Sequence, residues 1–404
     1  MAIAQSSTLQ FASSLTSEQN PAAAAESLLA GIRRQFGGSS ADLAVLFLSS
    51  HYGDEAAPLL SSLRAGLSPR VLIGCSGEGV IGAGREIEGG VAASLWAARL
   101  PRTKLTPLRL SFSSLHDQFT MAGWPDTFHD GLDSAPVLLL FADPFSTPMQ
   151  EVLPLLEDRY PGSIAIGGLA GGGRDIGENR LILNETLYDS GLTGVALSGG
   201  ISVKTVVSQG CRPIGERYIV TKAEQNLIHE LGGVPALHCL QHVYQSLEAD
   251  ERELAHRALH IGIAMDEHRA RFEQGDFLVR NLIGADQETG AVVIGDIVQE
   301  GQTVQFQVRD ARSAHEDLCD LLAACRGNDG PSPLGALLFS CCGRGKGLFG
   351  RVNHDVSVIE EQMGPIPVSG FFAQGEIGPI GGRSFLHGYT ASIAIFGERP
   401  LSRP

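Results

Sequence analysis

The sequence predicts an α/β protein of two domains, with mixed, largely antiparallel sheets flanked by helices in αββα-like layers. Three observations predict it. The chain has 404 residues, more than one ordinary core holds. Helical and strand-like periods alternate along most of its length. A unit of strand, loop and helix, strand, Gly-rich corner and returning strand recurs three times.

The elements follow in order. Residues 1–20 are Ser/Gln/Thr-rich and read as a disordered tail, with no charged segment leading into an apolar core as a signal peptide requires. Asn20 and Pro21 suit the N-cap and first position of a helix that runs to Phe36 and stops at Gly37-Gly38. The first unit is strand Leu43–Leu48, helix Asp54–Leu63, strand Val71–Ile73, corner Gly74-Cys75-Ser76-Gly77-Glu78-Gly79 and strand Gly90–Leu100. The second is strand Val137–Phe141, helix Met149–Arg159, strand Ser163–Ile166, corner Gly167–Gly173 and strand Leu192–Leu197.

A different region follows. Pro235–Leu247 is an amphipathic helix, and four closely spaced strands (259–265, 277–283, 291–294, 303–308) suggest an antiparallel meander. A helix over 313–325 leads to the third unit: strand Leu334–Phe339, helix Asp355–Met363, strand Pro367–Gly370 and strand Tyr389–Phe396. The similarity of the three units suggests an ancestral duplication, which shared connectivity would support. The domains are placed at 21–234 and 235–398, with 399–404 a second tail.

Composition excludes several classes. Hydrophobic residues make up 43% and charged residues 19%, as in a globular protein. A net charge of −15 with no basic cluster opposes nucleic-acid binding. Seven cysteines at irregular spacing read as reduced thiols, which with the absence of an apolar run long enough for a membrane helix points to a cytoplasmic protein without membrane insertion.

The third unit carries two corners rich in glycine, Phe339-Ser340-Cys341-Cys342-Gly343-Arg344-Gly345 and Gly370-Phe371-Phe372-Ala373-Gln374-Gly375-Glu376. Glycine lets backbone approach a ligand closely, so these read as a binding site. Arg344 is expected to hold a carboxylate and Glu376 or Glu78 an amine. Backbone N–H groups of Gly343, Gly345 and Gly375 would complete the cradle, and Cys341, Cys75 and Ser76 would stand beside it. Internal ion pairs of the two glutamates with Arg85, Arg344 or Arg383 are the bland alternative.

Two G-x-G-x-x-G matches, Gly77–Gly82 and Gly345–Gly350, lack a following helix and read as turn chemistry; no P-loop is present. Cys341 could act as a nucleophile with His354 or His387 as base, giving a Cys-dependent enzyme as one alternative. His238 and His242, and His256 and His260, have the spacing of metal or haem ligands without a clear further ligand. No metal, no cofactor and no catalytic constellation is assigned, and haem remains an alternative.

Together these residues resemble the FIST family (F-box and intracellular signal transduction). The C-terminal resemblance rests on Gly275–Gly284, Gly295-Asp296, Gly301–Phe306, the two third-unit corners and Leu386–Thr390. The N-terminal one rests on Ile73–Gly82 and Gly167–Gly173. The resemblance implies a sensory input module for small ligands such as amino acids, which in bacteria stands beside kinase, cyclase or chemoreceptor outputs. It also implies, through some bacterial relatives, a haem-based nitric oxide or gas sensor. Eukaryotic relatives carry an F-box, and the segment before Ala41 is too small for one or for an output domain. The chain is therefore expected to bind a small polar ligand and to signal in trans to a separate output protein.

Overall fold

The computed structural model describes residues 8–38, 40–115, 118–124, 135–269, 271–326 and 332–399. The chain divides into two compact units. One comprises Met1–Val207, Cys319–Leu386 and Thr390–Pro404, the other Ser208–Leu318 and His387–Tyr389. All three repeats belong to the first, apart from His387–Tyr389 of the third. The boundary expected at residue 235 separates sequence regions, whereas the compact units divide at 207/208, because the final repeat completes the body begun by the first two.

The first repeat runs β1 (Gln10–Thr16), α1 (Pro21–Phe36), β2 (Leu43–Ser49), α2 (Ala56–Leu67), β3 (Val71–Gly77), the hairpin β4 (Val80–Gly82) and β5 (Arg85–Ile87), and β6 (Ala93–Arg99). Strands β2 and β3 are parallel, β6 returns antiparallel to β2, and β1 lines the far edge of β6. The start of α1 is as its sequence dictates. Asn20 Oδ1 accepts from the N–H groups of Ala22 (3.0 Å) and Ala23 (3.1 Å), and Gly37 closes the helix in the left-handed conformation.

Strand β1 replaces the expected tail over Gln10–Thr16, while residues 1–7 and 400–404 of the two expected tails lie outside the described residues. Its polar composition hid it, yet Ser13, Ser14 and Thr16 are buried. Ser13 Oγ donates to the Val368 carbonyl at 2.6 Å, so burial leaves that hydroxyl satisfied.

The second repeat runs β7 (Thr103–Leu115), β8 (Gln118–Ala122), β9 (Val137–Ala142), α3 (Met149–Arg159), β10 (Ile164–Leu169), the hairpin β11 (Leu181–Leu183) and β12 (Thr186–Tyr188), and β13 (Leu192–Gly199). Its pairings repeat those of the first, with β9 and β10 parallel, β13 antiparallel to β9, and β7 beyond β13.

After β14 (Ile201–Gln209) the chain enters the second unit. This is a closed antiparallel sheet of β15 (Cys211–Glu224), β16 (Leu227–Leu231) with the short β17 (Val234–Pro235), and then β18 (Leu259–Ala264), β19 (Phe277–Ala285), β20 (Val292–Ile294) and β21 (Thr303–Arg309). Helices α4 (Ala236–Ser246) and α5 (Ala249–Arg257) precede β18. The order β15-β21-β18-β19-β20-β16, with β15 also paired to β16, makes a small barrel. Its core includes Ile261, Ile263, Val304, Phe306 and Val308. The expected meander supplies four of its strands; β15 and β16 close it.

Helix α6 (Ala311–Arg326) leads to the third repeat: β22 (Gly335–Cys341), the short α7 (Gly345–Phe349), α8 (His354–Met363), β23 (Val368–Ala373), the hairpin β24 (Glu376–Ile380) and β25 (Arg383–His387), and β26 (Thr390–Glu398). Again β22 and β23 are parallel, β26 is antiparallel to β22, and β14 edges β26. The three repeats thus share one connectivity, as a duplication requires.

Each hairpin leaves its own sheet. The first repeat's β4 pairs with β23 of the third, the second's β11 with β3 of the first, and the third's β24 with β10 of the second. This cyclic exchange joins the repeats into a body with pseudo-threefold symmetry. Phe47, Phe141 and Phe339 hold equivalent places on β2, β9 and β22 and meet in its centre, with ring centroids 5.4, 5.9 and 6.3 Å apart. Helices α1 and α2 cover the outer face of the first sheet, and α3 that of the second.

Candidate functional site

The Gly-rich corners come together through this symmetry. The Glu78 N–H donates to the Phe372 carbonyl (3.1 Å), the Gly171 N–H to Ser76 (3.0 Å) and the Gln374 N–H to Leu169 (3.2 Å). These are three equivalent bonds that link the corners in a ring. Gly74, Gly167 and Gly370 are equivalent too. A Cβ on each would lie 1.8–1.9 Å from the carbonyl oxygen of Leu46, Leu140 or Leu338. No side chain fits there, so these glycines serve the fold.

What differs between corners is the side chains. Val80, Leu181 and Glu376 hold the same place on the exchanged hairpins, paired with Phe371, Cys75 and Gly168 respectively. All three are fully buried. Two repeats therefore put an apolar residue here and the third puts a carboxyl group. Glu376 Oε2 accepts from the Thr390 N–H (3.1 Å) and Oγ1 (2.8 Å), while Oε1 is buried without a hydrogen-bond partner. Burial, and after it the neighbouring Cys341, push its pKa well above the ordinary carboxylate value. Burial thus favours its protonated form.

Cys341 ends β22 and is buried; Cys342 begins the turn and is exposed. The Gly343 N–H points at Cys341 Sγ at 3.4 Å. A hydrogen bond from Cys341 lowers the pKa of Cys342, outweighing its partial burial and the nearby Glu376 and Glu78. An exposed thiol, a buried thiol and a buried carboxyl group therefore occur together at the third of the three corners. Sequence reasoning passed over Cys342, whose exposure depends on the strand ending at residue 341.

Arg344 is not open to a ligand in the way expected. It is 2% exposed, and its Nε and Nη2 grip the two oxygens of Asp355 at 2.8 and 2.9 Å. Asp355 also accepts from Ser340 Oγ (2.9 Å), and its Oδ1 lies 2.8 Å from His354 Nδ1. Burial alone would raise the Asp355 pKa, but the charge of Arg344 and these bonds hold it well below the usual range. The first repeat's hairpin reaches this cluster. Glu86 Oε1 accepts from the Val356 N–H (2.8 Å), and burial followed by the charge of Asp355 raises its pKa to about 8. Glu88 accepts from the Lys346 N–H at 2.8 Å and fills the space where a Cβ on Gly345 would sit. Gly345 opens α7, which the sequence reading took for a plain turn.

The remaining expected residues have structural roles or stand apart. Cys75 is fully buried and its pKa raised by burial. Ser76 Oγ accepts from the Arg180 N–H at 3.0 Å. Glu78 is exposed beside the corner ring, and the Gly375 carbonyl accepts from the Leu169 N–H at 2.8 Å. Arg383 pairs with Glu157 at 3.4 Å and Glu376 with Thr390, so neither makes the ion pair expected for it.

His256 lies in the last turn of α5 while His260 lies in β18, so these two do not share a helical face. His238, His242 and His256 are exposed; His260 is buried against the Tyr389 ring at 4.2 Å, and burial with Arg309 lowers its pKa to about 4. None of the four is among the residues lining the described cavities of 550, 470 and 270 Å³. Among the described residues no group of three or more His, Cys, Asp or Glu is placed to hold a metal ion, and no helix is long and apolar enough to cross a membrane.

The sequence matches the FIST N domain model over residues 42–234 and the FIST C domain model over residues 236–379. It is 44% identical over 373 residues to "Uncharacterized protein Rv0628c" of Mycobacterium tuberculosis, covering 92% of this chain and 96% of the relative. It is 42% identical over 364 residues to "Uncharacterized protein Mb0898c" of Mycobacterium bovis, covering 90% and 92%. The chain belongs to the FIST family, whose domains are sensory domains of signal transduction.

Proposed function

We propose that this protein is a cytoplasmic sensory module that binds a small polar ligand at the third corner, over Cys341, Cys342 and Glu376, and signals in trans to a separate output protein. One observation carries the reading. Glu376 holds a buried carboxyl oxygen without a hydrogen-bond partner at a place where the other two repeats hold Val80 and Leu181. Natural folds rarely leave such a group, and a ligand that supplies the missing bond explains its retention.

An amino acid or related amine suits the site. Its ammonium would take the position facing Oε1 and favour the carboxylate, with release of the Glu376 proton. Arg344 then acts through Asp355, fixing the loop that carries Cys342 and leaving the ligand's carboxylate to backbone N–H groups. Ligand binding signals only if it favours one conformation over another. Nothing in this scheme transforms the ligand, so the protein is read as a binding module and not as an enzyme.

A thermal-shift screen with amino acids and related acids tests the reading. Stabilisation by at least one compound, lost in Glu376→Gln, is expected. A stabiliser that acts equally on both proteins would remove Glu376 from the site. The haem alternative draws on His238, His242, His256 and His260, and a Soret band on haem reconstitution that is abolished by replacing one of them with Ala would carry it.

A further inference from the structure

The third corner holds more chemistry than ligand binding needs. Adjacent cysteines there differ in setting, Cys342 exposed and Cys341 buried, with the Gly343 N–H 3.4 Å from Cys341 Sγ. Beside Cys341 lies the Glu376 carboxyl, fully buried, with Oε1 free of partners. The equivalent strand-end residues in the other repeats, two positions after Phe47 and Phe141, are Ser49 and Asp143, neither of them a cysteine. Thiol, second thiol and proton donor thus coincide once.

We infer that Cys342 and Cys341 form a peroxide-reactive pair, with Glu376 as its proton donor, and that a hydroperoxide is an input of this sensor. The inference rests on the third corner being the open site. In the first step the Cys342 thiolate attacks the distal oxygen of ROOH. The O–O bond breaks, Glu376 gives its proton to the departing alkoxide, and Cys342 sulfenic acid and ROH form. In the second step Cys341 attacks the Cys342 sulfur. The S–S bond forms, and the sulfenic hydroxyl leaves as water with the Cys341 proton. Two thiols are oxidised by two electrons, and the hydroperoxide is reduced to alcohol and water.

The product suits a switch. Neighbouring Cα atoms are about 3.8 Å apart, below the roughly 4.4 Å lower limit of ordinary disulfides. Such a strained bond is readily reduced, which is the property of regulatory disulfides. Its formation would also pull Cys342 from the turn that Arg344 and Asp355 hold. Of the other cysteines, Cys75, Cys211 and Cys239 are buried, and burial raises the pKa of Cys319 and Cys325.

The test treats the reduced full-length chain with hydrogen peroxide and, separately, cumene hydroperoxide, followed by intact-mass and peptide mass spectrometry. The expected product has lost two hydrogens, both from the peptide that contains Cys341 and Cys342. Cys341→Ser should accumulate a dimedone-reactive sulfenic acid on Cys342, and Cys342→Ser should give neither product. Glu376→Gln, with its fold checked by circular dichroism, should slow the reaction at least about tenfold, since a positioned general acid contributes about 100-fold or more. First oxidation at Cys319 or Cys325, or a Glu376→Gln rate equal to the parent, would overturn the inference. Thermal shifts with the non-oxidising ligands, repeated on Cys342→Ser, separate the two readings. If they persist where peroxide has no effect, the binding site stands and the redox role falls.

Discussion

Replacing Glu376 by Gln keeps the side chain's shape and removes one titratable proton from the buried corner. Its folded-state pKa lies well above 4.5, so the folded protein keeps a proton that the unfolded chain releases. The sign follows directly. The stabilisation due to this proton is complete below the unfolded pKa and is lost as pH rises toward the folded one. Each pH unit within that window changes stability by about 1.4 kcal/mol per group. Between about pH 5 and pH 6.5 the parent therefore loses stability through Glu376, and Glu376→Gln does not. Glu86, raised to about 8, adds a similar slope to both proteins, and Asp355, held low, stays ionised in both, so the difference isolates residue 376. Urea unfolding at the two pH values measures it. Equal losses in the two proteins would show that Glu376 is ionised in the folded state and refute the neutral-acid reading.

Two further substitutions probe the surroundings. Asp355→Asn leaves the Arg344 guanidinium buried without its counter-charge and should cost about 3–5 kcal/mol, read by urea unfolding; a change below 1 kcal/mol would mean that solvent reaches the pair. Gly370→Ala forces a Cβ against the Leu338 carbonyl and should destabilise by about 3 kcal/mol or more, whereas Gly347→Ala, with open space around it, should have little effect on melting temperature.

Much of the framework was legible because it obeys local rules. Asn20, Pro21 and Gly37 delimit α1, Met149–Arg159 is helical over the span its periodicity gives, and the three units recur in the structure with one connectivity. The glycines were legible as special and misleading as to purpose. At Gly74, Gly167 and Gly370 it is a neighbouring backbone, not a ligand, that forbids a side chain. The hairpin exchange was hidden because it joins segments such as Val80–Gly82 and Ser369–Phe371, which no local pattern relates. For the same reason Glu86 could not be placed beside Asp355. Arg344 was expected to hold a ligand's carboxylate because an arginine among glycines ordinarily stays open; only the fold shows Asp355 taking that place. The contrast of Glu376 with Val80 and Leu181 needs the registers of three strand pairs, so the sequence could nominate Glu376 without saying why it stands out.

The measurement closest to the central claim is the rate of Cys342 alkylation by iodoacetamide in the presence of each compound that raises the melting temperature. If the third corner is the ligand site, a stabilising compound slows alkylation of Cys342, and both effects disappear in Glu376→Val, which installs the residue found at position 80. A compound that stabilises Glu376→Val as well as the parent, and leaves Cys342 equally reactive, would contradict the claim and place ligand binding elsewhere in the chain.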